Sequence, residues 1–248
     1  MWRGGAATLR SSTGPDDPPD PHIHFAIQLT IGVSHELSLR RGPHALERWA
    51  PGWMVGSDQP HWMHGRGTGV TIFLDPLSAQ GQRIAARLGG RGAVALSPAE
   101  YQVARHELED CWQRGWLLAD VRAAVDRVVD LLAPEAAAGD SVDRRVRAVI
   151  DDLVQDLSEN TSLAELAAKV GLSESRLAHL FRRDVGIPMR QYRLTLRMEQ
   201  AVRHIALGSS LTEAAHSAGF SDSAHFCRIC RRMFGSAPSD LPEFEAEG

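Results

Sequence analysis

Three groups of side chains in this 248-residue sequence have types and spacings that could do chemistry. His22-x-His24, with His61 and His64 further on, offers imidazoles that can bind a divalent ion, line a small-molecule pocket, or simply hydrogen-bond inside a core. Cys227-x-x-Cys230 reads as half a zinc site or a redox pair, but no second ligand pair accompanies it. The third group is basic: Arg182, Arg183, Arg190, Arg193, Arg197, Arg203, Arg228, Arg231 and Arg232 gather late in the chain, against Asp184, Glu199, Glu213 and Asp222. Such a stretch can face phosphate although the chain as a whole carries a net charge of -4.

The elements that must position these groups fall into two halves. A chain 43% hydrophobic and 23% charged is of globular composition and is long enough for two domains. Three cysteines, Cys111, Cys227 and Cys230, make no disulfide framework and point to a reducing compartment. Apolar runs such as "VTIFL" are far short of a membrane span, so a cytoplasmic protein without a membrane partner is expected. Residues 1–21 have no apolar core of a secretory signal and read as a flexible tail. From His22 to about residue 80, short alternating or β-branched runs broken by Gly, Pro and Asp predict a small sheet or barrel. Residues 81–133 change to helical periodicity, with Ser97, Pro98 and Glu100 as a helix start and Val121, Val125, Val128, Val129 and Leu132 on one face. "PEAAAGDS", residues 134–141, reads as a linker, and residues 142–241 read as helix throughout.

Within that last part the chain repeats itself. "GLSESRLAHLFRRDVGIP" from Gly171 returns as "GFSDSAHFCRICRRMFGSAP" from Gly219. Each copy follows a short helix with small residues, Ala167 and Ala168 in the first and Ala214 and Ala215 in the second. Helix, tight turn with Gly, then helix is the helix-turn-helix unit, whose second helix enters the DNA major groove. Leu163–Gly171 with Ser173–Arg183 fits it, and Leu211–Gly219 with Ser221–Met233 fits it again about 48 residues later. Between them "PMRQYRLTLRMEQAVRHIALG" reads as one helix of about 15 to 18 residues, roughly 22 to 27 Å long. Successive major-groove faces recur every ~34 Å, so a strut of this length could hold two reading heads on adjacent grooves.

With "LAELAAKVGLSESRLAHLFRRDVGIP", "LRMEQA" and "GFSDSAHFCRICRRMFGSAPSDL" in view, residues 144–241 resemble the tandem helix-turn-helix domain of the AraC/XylS family of bacterial transcription regulators. The resemblance implies that the first recognition helix offers Ser175, Ala178 and His179 to bases, and the second Ser223, Ala224, Cys227 and Arg228. Arg176, Arg182, Arg183, Arg197, Arg231 and Arg232 are expected to add DNA contacts. Arg228 is the sharpest of these, because Arg on a recognition helix can make a bidentate contact to guanine. The sequence departs from the family in Cys230, where Phe is usual, in Cys227, where Ser is usual, and in its closing "PSDLPEFEAEG".

The front half, through His22-x-His24, Pro60-His61 and "TIFLDPLSAQG", resembles the small cupin-like sensor domain that precedes the DNA-binding domain in many members of that family. The whole is therefore expected to be an α+β multidomain protein, with a cupin-like β domain and connecting helices before an all-α tandem helix-turn-helix. A metal cupin would place Glu three or four residues beyond the second His, where this sequence has Gln28 and Leu29, so no metal and no cofactor are expected. His22, His24, Gln28 and His61 are assigned instead to an effector pocket. The helices of residues 97–133 either form a homodimer interface, with Trp112, Trp116 and Leu117 as anchors, or close the barrel core. The expected partners are double-stranded promoter DNA, RNA polymerase and a small-molecule effector, with no catalytic residue. The competing reading is a cupin-type, metal-dependent, dioxygenase-like enzyme carrying a helical appendage.

Overall fold

A computed structural model of the protein describes residues 5–12, 21–65, 67–115, 117–133, 142–157, 161–234 and 237–238. The expected linker, residues 134–141, and Trp116 lie outside the described residues. The chain divides into two compact units, residues 1–138 with 229–248, and residues 139–228.

The first unit is built on two antiparallel sheets. Strands β1 (Gly5–Ser12), β2 (Ile27–Gly32), β5 (Gly52–Val55), β7 (Gly67–Leu74) and β8 (Ala93–Ala95) form one, in the order β1-β7-β2-β5-β8. Strands β3 (Leu37–Arg40), β4 (Arg48–Ala50) and β6 (Trp62–Gly65) form the other, in the order β4-β3-β6. The central strand β2 is buried along its whole length, and its residues alternate in character because successive side chains point to opposite faces. Ile27, Leu29 and Ile31 pack with Met54, Val70, Ile72 and Leu74 and with the helices. Gln28 and Thr30 share the other face with their register partners Phe73 and Thr71 on β7 and Val55 and Trp53 on β5. Trp53 and Val55 pack in turn with Leu37, Leu39 and Met63 of the small sheet, so this polar pair of β2 looks into the space between sheets.

Three helices cover the apolar face: α1 (Ala79–Leu88), α2 (Pro98–Gln113) and α3 (Leu118–Leu132). Ser97 starts α2 through a capping box with Glu100, as its spacing predicts. Ile84, Leu88, Ala104, Leu108, Cys111, Val121, Val125, Val128, Val129 and Leu132 all enter one core with the large sheet. The helices of residues 97–133 therefore close the sheet, which is one of the two roles expected of them. Trp112 and Leu117 remain exposed.

Two boundaries need correction. Residues 1–21 were expected as a tail, but Gly5–Ser12 forms a strand paired with β7 from Gly5 opposite Leu74 to Ser12 opposite Gly67, with Ala7 buried. Cross-strand pairing with a neighbour some 60 residues away carries no local sequence signal, which is why composition alone suggested disorder. The sheet also runs past residue 80, since β8 pairs with β5 from Trp53 opposite Ala95 to Val55 opposite Ala93.

The remaining helices are α4 (Arg144–Gln155), α5 (Leu163–Lys169), α6 (Glu174–Val185), α7 (Met189–Ala206), α8 (Leu211–Ser217) and α9 (Ser223–Phe234). The repeat is visible in their caps. Ser162 with Glu165 opens α5 and Ser210 with Glu213 opens α8, each as a complete capping box. In both boxes the serine hydrogen bonds hold the glutamate carboxyl below its ordinary range. Gly171 and Gly219 then turn the chain with φ of 67° and 78°, a left-handed conformation that glycine adopts without penalty.

Candidate nucleic-acid interface

The two helix-turn-helix units are α5–α6 and α8–α9, joined by α7, whose 18 residues span about 27 Å. The repeat keeps an offset of 48 residues through the first helix and the turn glycine, from Ser162 to Ser210 and from Gly171 to Gly219. It becomes 49 in the second helix, because four residues separate α5 from α6 and five separate α8 from α9. The extra residue lets Asp222 cap the start of α9, accepting the His225 backbone N–H at 2.6 Å, and that bond holds its carboxyl low. In the first unit Ser173 does the equivalent work, accepting from the Arg176 N–H at 3.3 Å.

With the 49-residue offset the two helices match position by position. Leu177, Leu180 and Phe181 of α6 are buried, and their counterparts Phe226, Ile229 and Cys230 of α9 are buried or half-buried. Cys230 thus fills a core position that Phe181 occupies in the first unit. The opposite face is open in both. On α6, Ser175, Arg176, Ala178, His179, Arg182 and Arg183 are exposed. On α9, Ala224, Arg228, Arg231 and Arg232 are exposed, with Ser223 and Cys227 half-buried. His179 corresponds to Arg228, Arg182 to Arg231 and Arg183 to Arg232, so each helix ends in two exposed guanidinium groups one turn beyond a residue able to reach a base edge. The correspondence also shows His225, half-buried beside Phe220 and within 3.2 Å of the Ser221 hydroxyl, as the counterpart of Arg176. The sequence reading omitted it because the "SES" and "SDS" match suggests an unbroken 48-residue register.

One residue leaves the expected set. Arg197, expected at the DNA, is only 6% exposed on α7, and its Nε donates to the Leu157 carbonyl at 2.8 Å. A Cβ at Gly219 would lie 3.3 Å from the same Nε. Arg197 therefore holds the chain just beyond α4 and lies beneath the turn of the second helix-turn-helix from inside. Its neighbour in type, Arg183, stays on the surface but pairs with Asp184 at 2.6 Å.

In the first unit the structure brings His22, His24, Gln28 and His61 together. His22 and His61 face each other in a two-residue antiparallel bridge, each N–H donating to the other's carbonyl at 3.0 Å. The His24 Nε2 and His61 Nε2 atoms lie 2.8 and 3.2 Å from Gln28 Oε1. Gln28 Nε2 donates to Thr30 Oγ1 at 2.8 Å, and Met63 Sδ lies 3.3 Å from it. All four residues are buried. Burial first, then the neighbouring imidazoles, push the His61 ring down to about 2, and burial lowers His24 as well, so both rings are neutral at ordinary pH. His64 stands apart, its Nδ1 at 2.6 Å from the Ser38 hydroxyl.

Residues 166–243 match a helix-turn-helix domain family. Over 97 residues the chain is 34% identical to an uncharacterised HTH-type transcriptional regulator, YidL, of Escherichia coli, covering 39% of this chain and 33% of that one. Over 102 residues it is 32% identical to the arabinose operon regulatory protein of the same organism, covering 40% and 35%. The chain thus spans about a third of the length of these relatives. Among solved structures, ToxT of Vibrio cholerae has a similar fold, with a TM-score of 0.62 at 13% identity over 96% of this chain and 97% of that one. ToxT has also been solved with an unsaturated fatty acid bound, in a structure that matches with a TM-score of 0.59 at 10% identity. Over its C-terminal hundred or so residues, which carry the two capped helix-turn-helix units and their strut, the chain is thus similar to HTH-type transcription regulators.

Proposed function

We propose that the protein is a sequence-specific DNA-binding transcription regulator of the cytoplasm, in which α6 and α9 read two adjacent major-groove segments of promoter DNA. The observation that carries this reading is the matched pair of open helix faces, each with a base-reading position, His179 or Arg228, followed by two exposed arginines. Phosphate contacts from the arginines set the register and the other exposed side chains discriminate among bases. Because the two faces differ in sequence, a single chain reads an asymmetric site. Residues 142–241 form the DNA-binding domain, and the two-sheet unit with its helices senses an effector. The buried polar face of β2 between the sheets supports that role, and so does the fatty acid bound in ToxT. Bound beside a promoter, the protein would recruit or block RNA polymerase. Any homodimer through residues 97–133 would use the exposed Trp112 and Leu117. The chain acts as a regulator and not as an enzyme.

Selection of bound sequences from a random DNA pool by the full chain tests the reading. An enriched asymmetric motif with two blocks about one helical turn apart is the expected result, with affinity that falls steeply with salt. Enrichment of no motif, or binding that is indifferent to salt, would refute it.

A further inference from the structure

We propose that the first unit binds one divalent transition-metal ion through His22, His24 and His61, with Gln28 Oε1 as a fourth, neutral oxygen donor. One ring nitrogen from each histidine lies within 4.8 Å of those of the other two. Nitrogens at about 2.1 Å from a common ion are about 3 to 3.5 Å apart, so small side-chain rotations close the site. The backbone needs no change, since the two-residue bridge already sets His22 opposite His61, and the Asp58 N–H holds the His24 carbonyl at 2.9 Å.

The hydrogen bonds around the His24 and His61 rings are those of a ligand set. His24 Nδ1 lies 2.7 Å from the Ala26 carbonyl, and His61 Nδ1 lies 2.8 Å from the Gln59 carbonyl. A carbonyl only accepts, so both Nδ1 atoms carry the proton and donate it. In a neutral ring this leaves the Nε2 lone pair free to coordinate, the arrangement in which metal-bound histidines are fixed by a second-shell carbonyl. Both Nε2 lone pairs point at Gln28 Oε1, which is also an acceptor, at 2.8 and 3.2 Å. Three acceptors converge with no proton among them, and a cation satisfies all three at once. Without an ion, the remaining solution is a rotated Gln28 amide that donates to both rings.

Imidazole-rich sites with one oxygen suit Zn²⁺, Co²⁺, Ni²⁺ and Fe²⁺. The sequence leads to no expected metal because Gln28 stands where a metal cupin has a carboxylate, but an amide oxygen lowers the affinity of a three-histidine site without abolishing it. Every ligand it uses lies in the unit of residues 1–138 with 229–248, and none of them is among the side chains assigned to DNA.

The experiment titrates the full chain, stripped with a chelator and dialysed, with Co²⁺ and with Zn²⁺. Binding is followed by the visible d–d absorption of Co²⁺ and by calorimetry. About one ion per chain is expected, lost in His24→Ala and in His61→Ala at unchanged far-UV circular dichroism, and retained in Cys227→Ser. Gln28→Glu adds the missing charge and should tighten binding by about tenfold or more while shifting the Co²⁺ spectrum. Where a histidine variant fails to fold, the Gln28→Glu comparison decides. Absence of Co²⁺ and Zn²⁺ binding, binding that both histidine variants keep, loss of binding in Cys227→Ser, or no tightening in Gln28→Glu would each overturn the site.

Discussion

Replacing Arg197 with Ala separates a buried support from a DNA contact. The side chain is 6% exposed and donates from Nε to the Leu157 carbonyl at 2.8 Å. A hydrogen bond from a charged group contributes about 1.5 to 3 kcal/mol. Loss of the buried stem, about two methylenes beyond Cβ at ~0.8 kcal/mol each, adds about 1.5 kcal/mol. The expected loss is therefore about 3 to 4.5 kcal/mol, and with a urea m-value of about 1 to 3 kcal/mol/M the unfolding midpoint falls by at least about 1 M. The assay pairs that midpoint with the salt dependence of DNA binding, measured where the variant is still folded. A phosphate contact contributes about one unit to the slope of log K against log salt, so Arg231→Ala and Arg232→Ala should each reduce the slope by about that amount. Arg197→Ala should leave the slope unchanged. A slope reduced by about one unit, with an unaltered urea midpoint, would refute the structural role and return Arg197 to the DNA.

Further outcomes follow from the same structure. Arg228→Ala should weaken specific binding by about 1 to 3 kcal/mol and relax preference at one base pair, as read by competition with single-site variants of the selected sequence. Gly171→Ala and Gly219→Ala each force a side chain into positive φ, costing roughly 1 to 2 kcal/mol. Gly219→Ala should cost more, because its Cβ presses on Arg197 at 3.3 Å while Gly171 has nothing within 4 Å; equal urea midpoints would contradict this. The lowered His24 and His61 rings bind fewer protons folded than unfolded below about pH 6.5, so the metal-free protein should lose stability as pH falls through that value toward 5. The slope per histidine is about 1.4 kcal/mol per pH unit, and a urea midpoint that is flat between pH 6.5 and 5, above the ordinary carboxylate range, would show the rings to be solvated.

The helical half was the more legible in sequence because its signals are local. Capping boxes, turn glycines and apolar spacing specify α5, α6, α8 and α9 within a dozen residues each, and the repeat doubles every signal. What a local pattern does not carry is whether a charged residue on a helix stripe faces water. Arg197 sits between Leu196 and Met198 on a helix with arginines on several sides, and its burial, with the bond to the Leu157 carbonyl beyond α4 and the closeness of Gly219, is visible only in the fold. The sheets were legible as strands but not as pairings. The β1 strand was missed because its partner β7 is remote, and β8 because three residues of Ala and Val between helices show no alternation of their own. His22, His24, Gln28 and His61 were each singled out in the sequence, and the structure brings them together. Their geometry depends on the bridge between residues 22 and 61 and on the inward face of β2, which only the fold supplies.

The central claim, that one chain uses both recognition helices on adjacent grooves, is tested most directly by hydroxyl-radical footprinting of the full chain on its selected DNA, with the number of bound chains measured on the same complex. Two protected segments per bound chain, centred about one helical turn apart on one face of the duplex and without two-fold symmetry, is the predicted result. A two-fold symmetric footprint with one protected segment per chain would contradict it and leave only one of the two units reading DNA.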